Sequence, residues 1–246
     1  MPRLVIYPEQ EAFNDYAALR IAKLAYATLQ VNEHFCLALA GGSTPKPIYE
    51  LLAQASFKDQ LDWSRIHLFF GDERAVAPDD AESNYRMVQE ALIGRIPIPV
   101  ANVHRIKGEL APERAASQYE AELSAFFEGV EGTFDLVLLG LGDDGHTASL
   151  FPHSPILQHS EGRMVRENFV AEMNSWRISL TASVINEADN IMFLVAGAGK
   201  AGAVQAVLEG AYQPELYPAQ LIRRDETVTW VLDEAAAALL TRDDAS

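Results

Sequence analysis

Cysteine is nearly absent from this chain of 246 residues, in which Cys36 is the only one. A lone thiol cannot close an internal disulfide, so stability must come from a hydrophobic core, and a cytoplasmic location is favoured. Apolar residues make up 49% of the chain, which is enough for such a core. The length suits one large α/β domain or two small ones, and we predict a single domain over residues 1–246. Cys36 lies in an apolar run and is predicted to be a small buried hydrophobe.

Positive charge is also scarce. The chain has 19 Lys and Arg residues against 35 Asp and Glu residues, which gives a formal net charge of −16. Such a surface repels nucleic acid and anionic lipid, so we expect neither as a partner. No segment approaches the roughly 20 apolar residues of a membrane span, and the run LVIY near the N-terminus is too short for a secretory signal. An anionic ligand would need a local group of cations, because charges beyond about 8 Å are largely screened at physiological salt.

Several motifs that mark enzyme classes are missing. There is no HExxH, CxxC or dense group of aspartates, so we predict no metal site. There is no GxSxG elbow, which argues against a serine-hydrolase triad, and Ser149 carries no mark of a nucleophile. The absence of GxxxxGK[ST] argues against a P-loop.

The chain does contain short apolar runs that alternate with longer amphipathic segments. Nearly continuous apolar runs indicate strands covered on both faces. The alternation predicts a three-layer α/β fold of Rossmann-like type, with a doubly wound, mostly parallel sheet and helices on both faces. The predicted strands are 4–7, 35–40, 66–72, 134–141, 190–197 and 227–233. The predicted helices are 13–24, 44–55, 82–93, 112–128 and 204–211.

Four of the predicted strands run into loops that are rich in glycine or charge. Ligands of open parallel sheets bind outside the carboxyl ends of the strands, so we expect all four loops to lie on one rim. These loops are ALAGGSTPKP (38–47), FFGDERAV (69–76), LLGLGDDGHTAS (138–149) and LVAGAGKAGA (194–203).

The first loop has two interpretations. Gly41 and Gly42 would let the backbone approach a ligand, Ser43 and Thr44 offer hydroxyls, and Lys46 adds charge. Since a helix is predicted to follow, its free amides favour an anion. The alternative is a tight turn with a Ser or Thr cap.

His146 is the sharpest candidate for chemistry. It follows Asp144 by two residues, so the carboxylate can hold the imidazole in one tautomer and make it a general base. An exposed or capping histidine is the alternative. Structural roles are expected for the remaining histidines, which are His34, His67, His104, His153 and His159.

Two segments, 140–145 and 197–202, match GxGxxG and favour a dinucleotide-binding protein as an alternative. Both come late in the chain, and Asp143 and Asp144 would repel a pyrophosphate where the helix dipole should attract it. The segment Asp72–Glu73–Arg74 is predicted to be either a surface turn with a local ion pair or, because it ends a strand, part of a functional site.

Taken together, these segments resemble the family of 6-phosphogluconolactonases and glucosamine-6-phosphate deaminases, across nearly the whole chain and in family order. GHTASLFP after a GxGxDG turn, together with GDER, favours the lactonase branch over the deaminase branch. One departure is the absence of the proline that usually precedes the arginine of WRISLT, which leaves the aim of Arg177 open. The matching segments are LAGGSTPKPIYELL (39–52), FFGDERAV (69–76), SNYRM (83–87), LGLGDDGHTASLFP (139–152), WRISLT (176–181), FLVAGAGKAGAV (193–204) and YPAQLI (217–222).

The resemblance implies hydrolysis of the sugar-phosphate lactone 6-phospho-D-glucono-1,5-lactone, without metal or cofactor. Members of the family are often monomers, so the resemblance also implies a monomer or a weak homo-oligomer. His146 would be the base and Asp144 its partner. The resemblance places the phosphate at the Gly41–Thr44 loop, with Lys46, Arg74, Arg177 and Lys200 as the cationic set. Asp72 would order Arg74, contact sugar hydroxyls or act as a second acid or base. A sugar-phosphate deaminase or isomerase and a non-catalytic sugar-phosphate sensor are the other hypotheses.

Overall fold

A computed structural model describes residues 1–129, 133–158, 162–223 and 225–241. His159 and parts of the predicted 1–246 domain lie outside these ranges. The strands are β1 (Arg3–Tyr7), β2 (Phe35–Leu39), β3 (Ile66–Phe70), β4 (Asp72–Arg74), β5 (Val103–His104), β6 (Leu136–Leu139), β7 (Val165–Val170), β8 (Ser175–Leu180), β9 (Asn190–Val195) and β10 (Val228–Asp233). The helices are α1 (Gln10–Leu29), α2 (Lys46–Leu52), α3 (Ala55–Lys58), α4 (Asn84–Ala91), α5 (Pro112–Phe126), α6 (Ala182–Asn186) and α7 (Ala201–Leu208).

Seven of these strands form a parallel sheet in the order β1-β10-β9-β6-β2-β3-β5. From β2 the chain winds outward through β3 to β5, and from β6 it winds the other way through β9 to β10 and returns to the β1 edge. The winding direction therefore reverses between the adjacent strands β2 and β6, which is where ligands of doubly wound folds bind. The predicted fold class is confirmed.

Burial of the central strands explains why their sequences are almost uniformly apolar. Every residue of β2 and β6 is buried, as is every residue of β9 after Asn190, so both faces of the sheet are covered. Cys36 on β2 is 6% exposed, and burial raises the pKa of its thiol to about 12. The cysteine is thus a core residue, as predicted.

Helix α1 shows how a sequence stripe becomes a packed face. Phe13, Ala17 and Ile21 are each 0–2% exposed, because their spacing of four places them on one side of the helix. Helix α7 ends at Leu208, three residues before the predicted end of the stripe. Gly210, with its high cost in a helix interior, accounts for the earlier end.

A second, three-stranded sheet in the order β4-β8-β7 is antiparallel and was not predicted. The predicted strand 66–72 leaves the main sheet after Phe70, and the segment from Asp72 pairs with β8 instead. The pairing places Arg74 opposite Arg177 and Asp72 opposite Ser179. Because β4 has only three residues, no hydrophobic period could have marked it.

Two histidines of the main sheet form a partly buried chain with a carboxylate. His67 Nδ1 lies 3.0 Å from His104 Nε2, and His104 Nδ1 lies 2.8 Å from Glu122 Oε1 on α5. The His104 ring also stacks on Phe69, with centroids 4.3 Å apart and an interplanar angle of 8°. Both histidines are therefore integrated into the packing between the sheet edge and α5.

None of the helices in the described ranges has the combination of length and apolar character that a bilayer crossing requires. The cytoplasmic location stays a prediction.

Candidate active site

Residues from all four predicted loops line one cavity of about 240 Å³ at the carboxyl ends of β2, β3, β6 and β9. The loops therefore share one rim, as the parallel topology predicts. The candidate residues that line the cavity are Gly41, Gly42, Ser43, Thr44, Asp72, Arg74, His146 and Lys200.

The glycine loop after β2 is shaped by a tyrosine and an asparagine. The hydroxyl of Tyr49 donates to the carbonyl of Ala40 at 2.8 Å and accepts from its N–H at 3.1 Å, which fixes the start of the loop. A Cβ at Gly41 would lie 2.0 Å from the side-chain oxygen of Asn84, so the missing side chain makes room for that amide. Gly42 has a φ of +91°, a conformation that side-chain-bearing residues rarely adopt.

Lys46 does not belong to the group of candidate residues that line the cavity. It is exposed in the first turn of α2, does not line the cavity, and lies near enough to Glu90 to help lower the pKa of that carboxyl. The structure therefore does not bring Lys46 to the other cations.

His146 and Asp144 form a pair at the cavity. Asp144 Oδ1 lies 2.6 Å from His146 Nδ1 and also accepts the backbone N–H of His146 at 3.1 Å. The imidazole stacks on Phe151, with centroids 4.1 Å apart and an interplanar angle of 24°. Partial burial disfavours the Asp144 charge, but the hydrogen bonds from His146 outweigh it and hold the pKa of the carboxyl below its usual value. An ionised Asp144 keeps the proton on Nδ1 and leaves Nε2 as the nitrogen that accepts a proton.

Gly142 leaves the space for this pair. A Cβ there would lie 2.1 Å from His146 Nδ1 and 2.4 Å from Asp144 Oδ1. Real Cβ atoms essentially never make such close contacts, so a side chain at this position would displace His146 or Asp144. One glycine of the GxGxxG match at 140–145 is therefore explained by the histidine and carboxylate that it accommodates.

Asp72 is held by two side chains from distant parts of the chain. Its Oδ2 accepts the hydroxyl of Ser149 at 2.6 Å, and its Oδ1 accepts the amide of Asn84 at 3.1 Å. Neither of these hydrogen bonds joins Asp72 to Arg74, the residue that Asp72 was expected to order. Neither Ser149 nor Asn84 was predicted as a functional residue.

Glu73 was also missed, and it organises the segment around it. Its carboxylate accepts the backbone N–H groups of Arg74, Asn84 and Tyr85 at 2.7–2.8 Å and the hydroxyl of Ser83 at 3.1 Å. Burial raises its pKa, and the backbone hydrogen bonds partly offset that rise. The local ion pair considered for this segment is replaced by a carboxylate that anchors the start of α4 to β4. Strand alternation turns residue 73 away from 72 and 74, but this signal is available only once the three-residue strand β4 is known.

Three cations approach the site in different ways. Lys200 and Arg74 line the cavity, and an Arg74 nitrogen donates to the carbonyl of Glu82. Within the described residues, the buried Nε of Arg74 has no hydrogen-bond partner. Arg177 is 7% exposed, does not line the cavity and donates to Ser175 Oγ at 3.0 Å. Burial and the neighbouring Arg74 charge lower the pKa of Arg177, and the nearby carboxylates of Asp72, Glu82 and Glu73 partly offset this shift.

Comparison with known proteins decides the family. The family model described as glucosamine-6-phosphate isomerases/6-phosphogluconolactonase matches residues 8–230. The chain belongs to this family. The resemblance seen in the sequence is confirmed, and with it the deaminase-like character of the fold.

Individual members of the family match over most of their length. A 6-phosphogluconolactonase of Aggregatibacter actinomycetemcomitans is 39% identical over 92% of this chain and 96% of its own. One from Synechocystis is 43% identical over 81% and 82%. The solved 6-phosphogluconolactonase of Thermotoga maritima is 29% identical, with a TM-score of 0.81 over 95% of this chain and all of its own.

The side chains at this site indicate which kinds of ligand it could bind. Among the residues that the structure describes, no three or more His, Cys, Asp or Glu side chains are grouped to hold a metal ion. The second GxGxxG segment places Lys200 on the cavity wall just before α7. The arrangement combines a carboxylate-held imidazole with cations that could hold a phosphate.

Proposed function

We propose that this protein hydrolyses 6-phospho-D-glucono-1,5-lactone to 6-phospho-D-gluconate, with His146 as the general base. One observation carries the proposal, namely that His146, which is hydrogen-bonded to Asp144, lines the same cavity as Lys200 and Arg74. The named relatives are 6-phosphogluconolactonases, which supports the substrate. The reaction belongs to the oxidative branch of the pentose phosphate pathway.

The phosphate of the substrate serves as its handle. Lys200 and Arg74 supply positive charge on a protein of net charge −16, and the Gly41–Thr44 loop supplies hydroxyls and backbone amides. Arg177, next to Arg74, reinforces the local positive potential without reaching the cavity wall. Binding energy from this remote group positions the lactone carbonyl against the base.

The chemical step follows from the tautomer of His146. Nε2 takes a proton from water while the water oxygen bonds to C1, and the carbonyl oxygen becomes an oxyanion. When the tetrahedral intermediate collapses, the bond between C1 and the ring oxygen breaks, and the imidazolium returns its proton to that oxygen. The ionised Asp144 stabilises the imidazolium in between, as a fixed carboxylate does for other catalytic histidines.

The decisive assay uses freshly generated phosphogluconolactone, measured against its spontaneous opening. We expect rapid enzymatic opening and a strong preference over unphosphorylated gluconolactone. Ammonia release from glucosamine 6-phosphate would favour a deaminase instead, and binding without product would favour a sensor. Equal rates with and without the phosphate would contradict the phosphate handle.

A further inference from the structure

The carboxylate of Asp72 lies on the wall of the cavity and is restrained on both oxygens. Ser149 donates its hydroxyl to Oδ2 at 2.6 Å, and Asn84 donates its amide to Oδ1 at 3.1 Å. The two donors come from segments 77 and 12 residues away. A carboxylate held this way cannot rotate freely, so its unused acceptor positions have fixed directions.

Ser149 is itself held on every side. It is 1% exposed, its N–H donates to Ser179 Oγ at 3.1 Å, and its carbonyl accepts the amide of Asn168 at 2.9 Å. Ser179 is the cross-strand partner of Asp72, so the pairing of β4 with β8 sets the distance between hydroxyl and carboxylate. Ala148, just before the serine, has a φ of +47°, a strained conformation that persists where the surrounding structure enforces it.

Asn84 is also held by several hydrogen bonds. It is 2% exposed, and its backbone N–H donates to the buried Glu73 at 2.7 Å. Its amide also donates to the Asp72 carbonyl at 3.0 Å and fills the space that a side chain at Gly41 would take. The amide therefore fixes Asp72 and the first loop together.

Building on the proposed function, we propose that Ser149 and Asn84 are positioning residues that aim Asp72 at a ring hydroxyl of the lactone and thereby set selectivity for the hydroxylated sugar. An ionised carboxylate only accepts hydrogen bonds, and the lactone offers hydroxyl donors at C2, C3 and C4. Two buried donors are satisfied by Asp72, and its remaining acceptor positions are left for the ligand. A site built to bind a hydroxyl rejects the analogue that lacks it, because its polar group is then left unpaired.

The test is a double-mutant cycle with Ser149→Ala and Asp72→Ala, assayed on the phosphorylated lactone and on its 2-, 3- and 4-deoxy analogues. We expect the parent to disfavour at least one deoxy lactone by roughly 10–100-fold in kcat/KM. Either single variant should reduce the preference for the hydroxylated lactone to about threefold or less. In the Asp72→Ala background, Ser149→Ala should change this preference by less than about twofold. Asn84→Ala supplies a second cycle should Ser149→Ala fail to fold.

Ser154→Ala is the matched control, because it removes another buried serine hydroxyl, which donates to the Phe151 carbonyl at 2.7 Å. It should keep the parent selectivity. Equal treatment of all deoxy lactones by the parent, or a Ser149→Ala effect that is unchanged without Asp72, would overturn the inference while leaving lactone hydrolysis intact. The same cycle on calorimetric binding of 6-phosphogluconate and its deoxy analogues tests the positioning without turnover. A parent that bound but did not hydrolyse would contradict the proposed function alone.

Discussion

Two histidine–carboxylate pairs in this molecule look nearly alike and differ in one respect that matters. His146–Asp144 has a contact of 2.6 Å and His104–Glu122 one of 2.8 Å. Each imidazole stacks on a phenylalanine, with centroids 4.1 and 4.3 Å apart. The second nitrogen of His104 is occupied by His67, whereas His146 lines a cavity that Lys200 also lines. A histidine becomes a candidate base through its second nitrogen and its access to ligand, and the carboxylate alone is insufficient.

The largest expected effect tests this difference directly. His146→Ala should lower kcat by at least about a hundredfold while lactone binding survives, because the positioned base is lost. His104→Ala removes the same kind of pair from the sheet edge and should change kcat less than about threefold. Steady-state kinetics and melting temperatures of both variants make the measurement. Similar losses of kcat from the two variants, at equal folded fraction, would contradict the assignment.

The next effect isolates the geometry of the active pair. Gly142→Ala should displace His146 or Asp144 and lower kcat by about tenfold or more, because the added Cβ has no room. Gly202→Ala is the control, since a Cβ there meets nothing within 4 Å. Full activity of Gly142→Ala would show that the His146–Asp144 pair tolerates displacement. Catalysis would then not depend on the present orientation of the His146 ring.

A smaller effect concerns Lys200, which lines the same cavity as His146. Lys200→Gln should raise KM for the phosphorylated lactone by roughly tenfold, because one charge-assisted contact to phosphate is worth about 1.5–3 kcal/mol. Lys46→Gln, at the exposed position outside the cavity, is the control and should leave KM unchanged. The preference for phosphorylated over plain gluconolactone should narrow for Lys200→Gln. An unchanged preference would remove Lys200 from the phosphate site.

The smallest effect concerns stability and involves His67, which occupies the second nitrogen of His104. Burial, then the charges of His104 and His34, lowers the pKa of His67 from 6.5 to about 4. Between these values the unfolded chain binds a proton that folded His67 refuses, so stability is lost as pH falls from 6.5 towards 4. Urea unfolding at pH 7 and pH 5 should show a smaller loss for His67→Gln than for the parent.

Asp135 acts in the opposite sense over part of the same interval, because burial raises the pKa of its carboxyl from 3.8 to about 6. It therefore adds stability as pH falls. Since it is present in both proteins, the difference between parent and His67→Gln removes its contribution. An identical pH dependence for the two proteins would show that the pKa of His67 is the same in the folded and unfolded states. The stated pH window would then be wrong.

The same contrast explains how much the sequence could reveal. Asp144 and His146 are two residues apart in one turn, so their pairing follows from local spacing, and the apolar runs revealed the parallel sheet. Asp72 and Ser149 are 77 residues apart and meet only through the antiparallel pairing of β4 with β8. Arg177 illustrates the same limit, since its burial opposite Arg74 is visible only in the structure, while its predicted role at the phosphate stays a prediction. Contacts set by strand register are invisible until the register is known.

The pairing of β1 with β10 has a consequence for biosynthesis. Residues 3–7 form the edge of the main sheet, and their parallel partner is residues 228–233. Ribosomes add roughly 5–20 residues per second, so the first strand waits about 11–45 s for its neighbour to be made. The nascent chain must keep that segment from other partners during the wait, because this edge of the sheet closes only after β10 has been made.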